Sequence, residues 1–255
     1  MRTEPGHAGS NGRRRTSVRL QVQGSAWEAA GGGPVGLCAQ PPLRACFPVP
    51  IQHGDADVTR DSLLAYVFWH WRQPSAERAA YETAQHAFQQ ALVDSPSTGF
   101  VRSFSHAITG APWANQGGEA YEDWYLVRDS AALDPLDTAA VTAGRKGAHE
   151  AAASLAAAGT AGLYQLKVGR PPTSPRSAQW FMKPAGMSYP QVFAGIEPAL
   201  EPVGGSLWMR RMTLGPATEF CVLADQPAAL APPFQMIALQ LRPLWSGSAA
   251  ETVSR

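Results

Sequence analysis

The chain has 255 residues, 45% of them hydrophobic, which is enough for one large domain or two small ones with a real core. Its formal net charge of +1 gives no general attraction to nucleic acid or to an anionic membrane, and no apolar run approaches the roughly 20 residues of a membrane-spanning helix. The three cysteines, Cys38, Cys46 and Cys221, are too scattered for a zinc ligand set and too odd in number for a full disulfide framework. A reducing, cytoplasmic setting is therefore expected.

Residues 1–57 differ in composition from the rest of the chain. They hold nine of the 24 glycines and six prolines, and no stretch among them keeps a helical or strand period for long. Such a segment buries too little apolar surface to offset the entropy lost on ordering. We therefore interpret it as a disordered tail.

Removal of this tail is expected to leave folding intact, because the first periodic element begins after it. A chain that starts at Val58 is predicted to melt as cooperatively as the full chain, with an unchanged midpoint. Differential scanning calorimetry of both chains checks this. A large fall in melting temperature on truncation would contradict it.

Four strands are predicted in the first half of the organised region, at 64–71, 100–109, 121–128 and 163–168. A helix separates the first two, because apolar residues recur at helical spacing from Tyr81 to Leu92. An alanine-rich helical region that ends at Gly159 separates the last two. The resulting order β-α-β-β-α-β is the ferredoxin-like unit.

The second half repeats this order in a reduced form after the proline-rich linker GRPPTSPR. Strands are predicted at 179–183, 207–214, 218–223 and 236–241, with a helix capped by Ser188 after the first. The second helix is reduced to a turn around 226–231. We therefore predict two ferredoxin-like repeats, at 58–170 and 177–247, with the second degenerate.

Two segments of the first half correspond to segments of the second: LLAYVFWHWRQP to SAQWFMKPAG, and EAYEDWYLV to TEFCVLA. This duplication is the basis of a resemblance to a known family. In element order and duplication the chain resembles a tandem member of the dimeric α/β-barrel superfamily. That superfamily includes antibiotic-biosynthesis monooxygenases, EthD-like proteins and chlorite-dismutase-like haem proteins. The resemblance implies an α+β pseudo-dimeric barrel whose interior holds a small ligand.

Alternation along the strands places Tyr66 and His70 on one face of the first strand and Asp123 and Tyr125 on one face of the third. We predict that these mixed faces line the barrel and that the wholly apolar faces pack under the helices. Gln165 of the fourth strand joins the same surface. A histidine beside an aspartate is a candidate general base, and the tyrosines are candidates to orient a polar ligand. The alternative is a hydrogen-bonded network without a ligand.

Arg102 and His106, on one face of the second strand, are weaker ligand-binding candidates, since a solvated edge strand accounts for both. No metal site is expected, because the sequence lacks the HxH, HExxH and CxxC spacings. No cofactor is expected either. The haem-binding relatives place an axial histidine in their second repeat, and no histidine follows His149 here.

Three classes of function remain open. They are a small-molecule binding protein, a cofactor-independent enzyme (monooxygenase, isomerase or lyase) that uses His70 and Asp123, and a structural or interaction protein with a filled barrel. An open, polar cavity favours the first two classes, and a packed interior favours the third. The expected partners are a small molecule and at most a second copy of the chain, with no nucleic acid and no membrane.

Overall fold

The computed structural model describes residues 63–216 and 218–248, so the predicted tail of residues 1–57 lies outside the described residues. The described residues form nine strands: β1 Leu64–Arg72, β2 Phe100–Ile108, β3 Ala120–Val127, β4 Ala156–Gly169, β5 Ser177–Phe181, β6 Ser206–Arg210, β7 Phe220–Ala224, β8 Met236–Gln240 and β9 Arg242–Ser248. The α-helices are α1 Arg78–Asp94, α2 Leu133–Ala140, α3 Lys146–Leu155 and α4 Tyr189–Leu200. None of these helices is long and apolar enough to span a bilayer.

All nine strands belong to one antiparallel sheet with the order β8-β5-β7-β6-β4-β1-β3-β2-β9. The first four strands therefore lie as β4-β1-β3-β2 and the next four as β8-β5-β7-β6, which is the same order twice. Strands β8 and β9 lie at opposite ends of this order, although only Leu241 separates them in the chain. β8 and β9 thus form one nearly continuous strand that joins the two edges of the sheet and almost closes it into a barrel. The predicted α+β barrel of two ferredoxin-like units is confirmed.

The sheet separates three apolar clusters. One cluster draws on strands of both halves and fills the inside of the barrel, where it includes Trp69, Trp124 and Trp180. A second packs α1, α2 and α3 on the outer face of the first half. A third packs α4 on the outer face of the second half, where Ser188 and Gln191 form the capping box that begins the helix. The predicted cap at Ser188 is confirmed.

The prediction of which strand face lines the barrel was wrong. The apolar set with Val67, Trp69 and Trp124 lines the barrel, and the mixed set with His70 and Asp123 lies under the helices. The helical face of this sheet tolerates polar groups because α1 itself carries polar partners for them. The barrel tolerates large aromatic residues because both halves of the sheet face its interior.

Three strands also differ from the prediction: β6 ends at Arg210, four residues before its predicted end, and the other two are β4 and β9. Strand β4 begins at Ala156, so Gly159 lies inside a strand and does not end the helix. A Cβ atom at Gly159 would come within 2.5 Å of the Phe68 ring, and glycine is the residue that permits this close packing. Strand β9 was not predicted. Pro243 and two small residues, Ser246 and Gly247, weaken its strand pattern, and its pairing with β2 comes from the closure of the barrel.

Candidate functional site

The predicted pair His70 and Asp123 lies in a buried polar network between the sheet and α1. The Nε2 atom of His70 is 3.2 Å from Oδ2 of Asp123, and both side chains are at most 2% exposed. The geometry at His70 Nε2 does not meet that of a hydrogen bond, so the two side chains are in close contact without one. On its other side, Nδ1 of His70 is 2.6 Å from the hydroxyl of Tyr81 on α1.

Asp123 gathers most of the donors in this network. Its Oδ2 atom accepts hydrogen bonds from the Tyr125 hydroxyl at 2.9 Å and from Nε2 of Gln89 at 3.0 Å. Burial on its own would raise the pKa of Asp123, but the neighbouring His70 and the hydrogen bonds bring this pKa below its ordinary value. Burial and then the Asp123 charge raise the pKa of Tyr125 well above its ordinary value. Asp123 is therefore an ionised acceptor, and Tyr125 is a neutral donor.

The other predicted site residues fall in different places. The Tyr66 ring lies 6.2 Å from the Tyr125 ring, so it borders the network. Gln165 does not join it: it lies opposite Leu64, at the far end of β1 from His70, and accepts a hydrogen bond from Arg211 at 2.8 Å. Arg102 donates to the carbonyl of Thr173 at 2.9 Å, and its strand is not the expected edge strand, because β2 pairs with β9 on its outer side.

The placement of His106 corrects the expectation of a surface histidine. A bulge between Phe100 and Arg102 shifts the register of β2, so Phe100 packs with the helices while Phe104 packs inside the barrel. His106 follows Phe104 on that inner face, lies opposite Glu122, and is fully buried. The sequence pattern gave no signal of this bulge.

The His70 network is covered on its outer side. Tyr81, Gln85 and Gln89 of α1 are all buried against it, and neither of the surface depressions described below is lined by His70 or Asp123. The fold itself does not require these polar groups. In the second half the cross-strand pair that follows the inner tryptophan is Phe181 with Phe220, where the first half has His70 with Tyr121. The network is therefore specific to the first half.

Replacement of Asp123 by alanine is expected to lower the free energy of unfolding by about 2–3 kcal/mol, since Tyr125, Gln89 and His70 lose a charged acceptor in a buried place. Asp123→Asn keeps one acceptor and is expected to cost less. Because the folded-state pKa is lowered, the stabilisation is present near neutral pH and is lost as the pH falls below 3.8. Urea denaturation at pH 7 and pH 3 measures both effects. Two variants as stable as the parent chain at pH 7 would contradict this reading.

Aromatic rings fill the inside of the barrel. Six of them are fully buried: Trp69, Trp124, Trp180, Trp208, Tyr164 and Phe104. The Trp180 ring is central, with its centroid 5.3–6.0 Å from the ring centroids of Trp69, Trp113, Trp124 and Tyr164. At these distances the rings are in contact, so the interior is packed. This is the arrangement that favours the third class of function over an open ligand cavity.

Glu122 is a candidate site residue that sequence reasoning missed. It is fully buried inside this aromatic barrel, and its two oxygens accept hydrogen bonds of 2.7 Å from the indole Nε1 atoms of Trp69 and Trp124. Burial raises the pKa of Glu122 to about 7, although the two indole hydrogen bonds act in the opposite direction. A signal was present in the sequence, because Glu122 shares a strand face with Trp124 and Leu126 and is the one charged residue there.

The fold does not need a carboxylate at this place either. Glu122 lies opposite Trp69, and the residue opposite the corresponding Trp180 in the second half is Cys221. Cys221 is a buried free thiol whose pKa is raised well above its ordinary value, first by burial and then by the Glu122 charge. The thiol is therefore unreactive, and Glu122 is the group in the barrel interior that can exchange a proton near neutral pH.

Several buried polar atoms beside these rings have no hydrogen-bond partner. They are the indole Nε1 atoms of Trp113 and Trp180 and both ring nitrogens of His106. Burial lowers the pKa of His106 to about 4, so the imidazole is neutral. Buried polar groups in folded proteins are nearly always paired with protein, water or ligand. Atoms without a partner also occur in the His70 network, at His70 Nε2, Gln89 Oε1 and Asp123 Oδ1.

One end of the barrel is covered by the loop between β2 and β3. Trp113 of this loop is half-buried and packs on Trp69 and Trp180, with centroid distances of 5.8 and 5.5 Å. A surface depression of about 230 Å³ runs along the same loop and is lined by Trp71, Arg72, Pro74, Asn115, Glu119 and Ala157. A second, shallow depression of about 510 Å³ lies away from the barrel, between 95–98 and 134–145. Among the described residues, no three His, Cys, Asp or Glu side chains are grouped as a metal ion would require.

No family model matches this sequence, and no curated protein matches it. Its fold is similar to that of a candidate monooxygenase from Fusobacterium nucleatum subsp. nucleatum, with a TM-score of 0.52 at 9% identity over 74% of this chain and 95% of that one. A candidate monooxygenase from Lactobacillus acidophilus has a TM-score of 0.48 at 8% identity, over 74% of this chain and 97% of that one. Chlorite dismutase from Candidatus Nitrospira defluvii has a TM-score of 0.38 at 9% identity, over 73% and 94%.

The first of these likenesses confirms the ferredoxin-like α/β-barrel fold. At 9% identity it establishes nothing about chemistry, because one fold carries many unrelated activities.

Proposed function

We propose that this protein binds a small molecule inside its α/β barrel, with Glu122 as the polar group that holds it. The observation that carries the proposal is the fully buried Glu122 carboxylate, fixed by two indole hydrogen bonds within an aromatic interior. A buried carboxylate lowers stability relative to an apolar residue that fills the same space, so its presence calls for a role other than packing. The matching position in the second half holds Cys221, which supports a role specific to this side of the barrel.

The unpartnered atoms support the same place. Trp113 and Trp180 each leave an indole N–H without an acceptor, and His106 leaves two ring nitrogens without a partner. A ligand with hydrogen-bond acceptors satisfies the indole groups, and Glu122 accepts from a donor on the ligand or takes its proton. With a pKa of about 7, Glu122 is poised for either protonation state near neutral pH.

A second candidate function uses the same site. It is a cofactor-independent enzyme in which Glu122 takes a proton from the substrate. The His70–Asp123 pair remains an alternative base for such an enzyme, supported by the 3.2 Å approach of its two side chains. Its cover by α1 leaves no space for a substrate beside it in this conformation. The third class, a barrel that is filled and binds nothing, is supported by the ring packing around Trp180.

Native mass spectrometry of the chain purified from its own host tests the proposal. We expect a small molecule to be retained by the parent chain and lost from Glu122→Gln, since the amide presents a donor where two indole donors already point. The matched control is Glu219→Gln, which changes a carboxylate outside the barrel that accepts from Tyr189; it is expected to keep the ligand. A parent chain with no bound mass, or a ligand retained equally by Glu122→Gln, would overturn the proposal.

A further inference from the structure

We propose that the Trp113 side chain is a removable plug that occupies the entrance of the barrel site, and that the ligand is a planar, mostly apolar molecule about the size of an indole with a hydrogen-bond acceptor. The proposal rests on the proposed function, because it describes how that same site is reached. The barrel interior holds the Glu122 carboxylate and unpartnered hydrogen-bond donors, yet aromatic rings fill it.

Trp113 differs from the other tryptophans of the barrel in where it comes from. Trp69, Trp124, Trp180 and Trp208 belong to strands and are fully buried, so their backbones are fixed by the sheet. Trp113 belongs to the β2–β3 loop and is half-buried. Its ring is therefore the one in this cluster that a loop movement can withdraw without breaking the sheet.

The loop that carries Trp113 is joined to the sheet at a narrow base. The amide of Gly110 donates to the carbonyl of Gly117 at 2.9 Å, and both glycines have positive φ, at 85° and 83°. Inside the loop, Ala114 donates to Ala111 at 3.0 Å, so the segment that holds Trp113 is a small unit with its own hydrogen bonds. Two glycines at its base permit the backbone rotation by which such a unit turns as a whole.

The indole N–H groups of the barrel form two sets, those with an acceptor and those without one. The Nε1 atoms of Trp69 and Trp124 donate to Glu122, and that of Trp208 donates to Ser206 at 2.9 Å. The Nε1 atoms of Trp113 and Trp180 are buried without an acceptor. When Trp113 swings outward, its own N–H reaches water, and the N–H of Trp180 becomes available to whatever enters.

The space that Trp113 vacates defines the ligand. It is bounded by the edges and faces of Trp69 and Trp180, which meet the Trp113 ring at interplanar angles of 79° and 69°. A flat ring system fits this geometry as the Trp113 ring does, and an acceptor on its rim meets the Trp180 N–H. The 230 Å³ depression beside Asn115 and Glu119 of the same loop lies next to this entrance and receives the displaced ring.

Fluorine NMR of the full chain labelled with 5-fluorotryptophan tests the plug, with quinoline as the probe because it is flat and carries one acceptor nitrogen. The chain has eight tryptophans, and Trp113→Phe assigns the signal of Trp113. We expect quinoline to move the Trp113 signal toward that of free 5-fluorotryptophan while the Trp208 signal stays in place. A Trp113 signal that does not move at saturating quinoline would overturn the proposal.

Affinity in variants gives the second measurement. Trp113→Ala is expected to bind quinoline at least about tenfold more tightly than the parent chain, because no plug has to be displaced. The matched control is Trp245→Ala: Trp245 is also half-buried with an unpartnered indole N–H, but it packs on His86 outside the barrel. Equal gains in both variants would overturn the proposal. If Trp113→Ala does not fold, the displacement in the parent chain decides.

The two proposals fail in different ways. A native ligand that is lost from Glu122→Gln, together with a Trp113 signal that quinoline never moves, leaves the barrel site standing and removes the plug. A Trp113 signal that quinoline displaces, together with a ligand retained by Glu122→Gln, keeps the plug and removes Glu122 from the site.

Discussion

Trp180→Ala is expected to lower the free energy of unfolding by about 3–5 kcal/mol, the range for removal of a fully buried large aromatic side chain. Trp180 is fully buried, and its ring contacts those of Trp69, Trp113, Trp124 and Tyr164. These four neighbours come from three strands and a loop, so they cannot move together to fill the space. Urea denaturation followed by far-UV circular dichroism measures the loss.

Trp245→Ala is the matched control for this experiment. Its ring is half-buried on the outer face and packs on His86 at a centroid distance of 4.7 Å, so we expect a loss of about 1 kcal/mol. A similar loss for both variants would mean that the barrel interior is not the packed centre of the fold. A Trp180→Ala variant as stable as the parent chain would contradict the description of a filled barrel.

The second large effect is a pH dependence of the free energy of unfolding. It comes from two buried groups, Glu122 and His106, whose pKa values are shifted in opposite directions. The pKa of Glu122 is raised from 4.5 to about 7, so the folded state holds a proton that the unfolded state has lost, and stability falls as the pH rises through this window. The pKa of His106 is lowered from 6.5 to about 4, so the unfolded state binds the extra proton, and stability rises with pH. Each shift amounts to about 3 kcal/mol.

The two pH dependences of stability nearly cancel in the parent chain. We expect each of them to become measurable when the other group is replaced. In Glu122→Gln the free energy of unfolding should rise by about 3 kcal/mol between pH 4 and pH 6.5, because the Glu122 shift no longer offsets the His106 shift. In His106→Phe it should fall by about 3 kcal/mol between pH 4.5 and pH 7. Denaturation curves at half-unit steps of pH measure the slopes. Equal slopes in the two variants would contradict the account.

The sequence predicted the architecture because each half repeats a strand and helix order with clear periodicity. The aromatic strand around Trp69 and the helix from Tyr81 to Leu92 are strong local patterns, and both are present. Strand β9 could not be predicted, because its pairing with β2 depends on the closed barrel and not on its own residues. The start of β4 was missed because alanine-rich sequence favours helix until tertiary pairing with β1 overrides it.

The candidate site was predicted in part. Alternation correctly placed His70, Asp123 and Tyr125 on one face, since a period of two is a local property of a strand. Which face turns inward is a property of the whole sheet. The assumption that polar residues line the barrel failed because α1 supplies Tyr81 and Gln89 as partners, while the two halves together enclose a space that large indoles fill. Glu122 was missed for the same reason, since its face was assigned to the helices.

Carbon-13 NMR titration of the side-chain carboxyl groups tests the central claim most directly, namely that the proton-exchanging group of this protein is Glu122 in the barrel and not Asp123 beneath α1. The account predicts that the carboxyl carbon of Glu122, assigned by its loss in Glu122→Gln, titrates with a midpoint of about pH 7. It predicts that the carboxyl carbon of Asp123 titrates with a midpoint below the ordinary 3.8, because its pKa is lowered. A Glu122 signal that titrates near pH 4.5, or an Asp123 signal that titrates near neutrality, would contradict the claim.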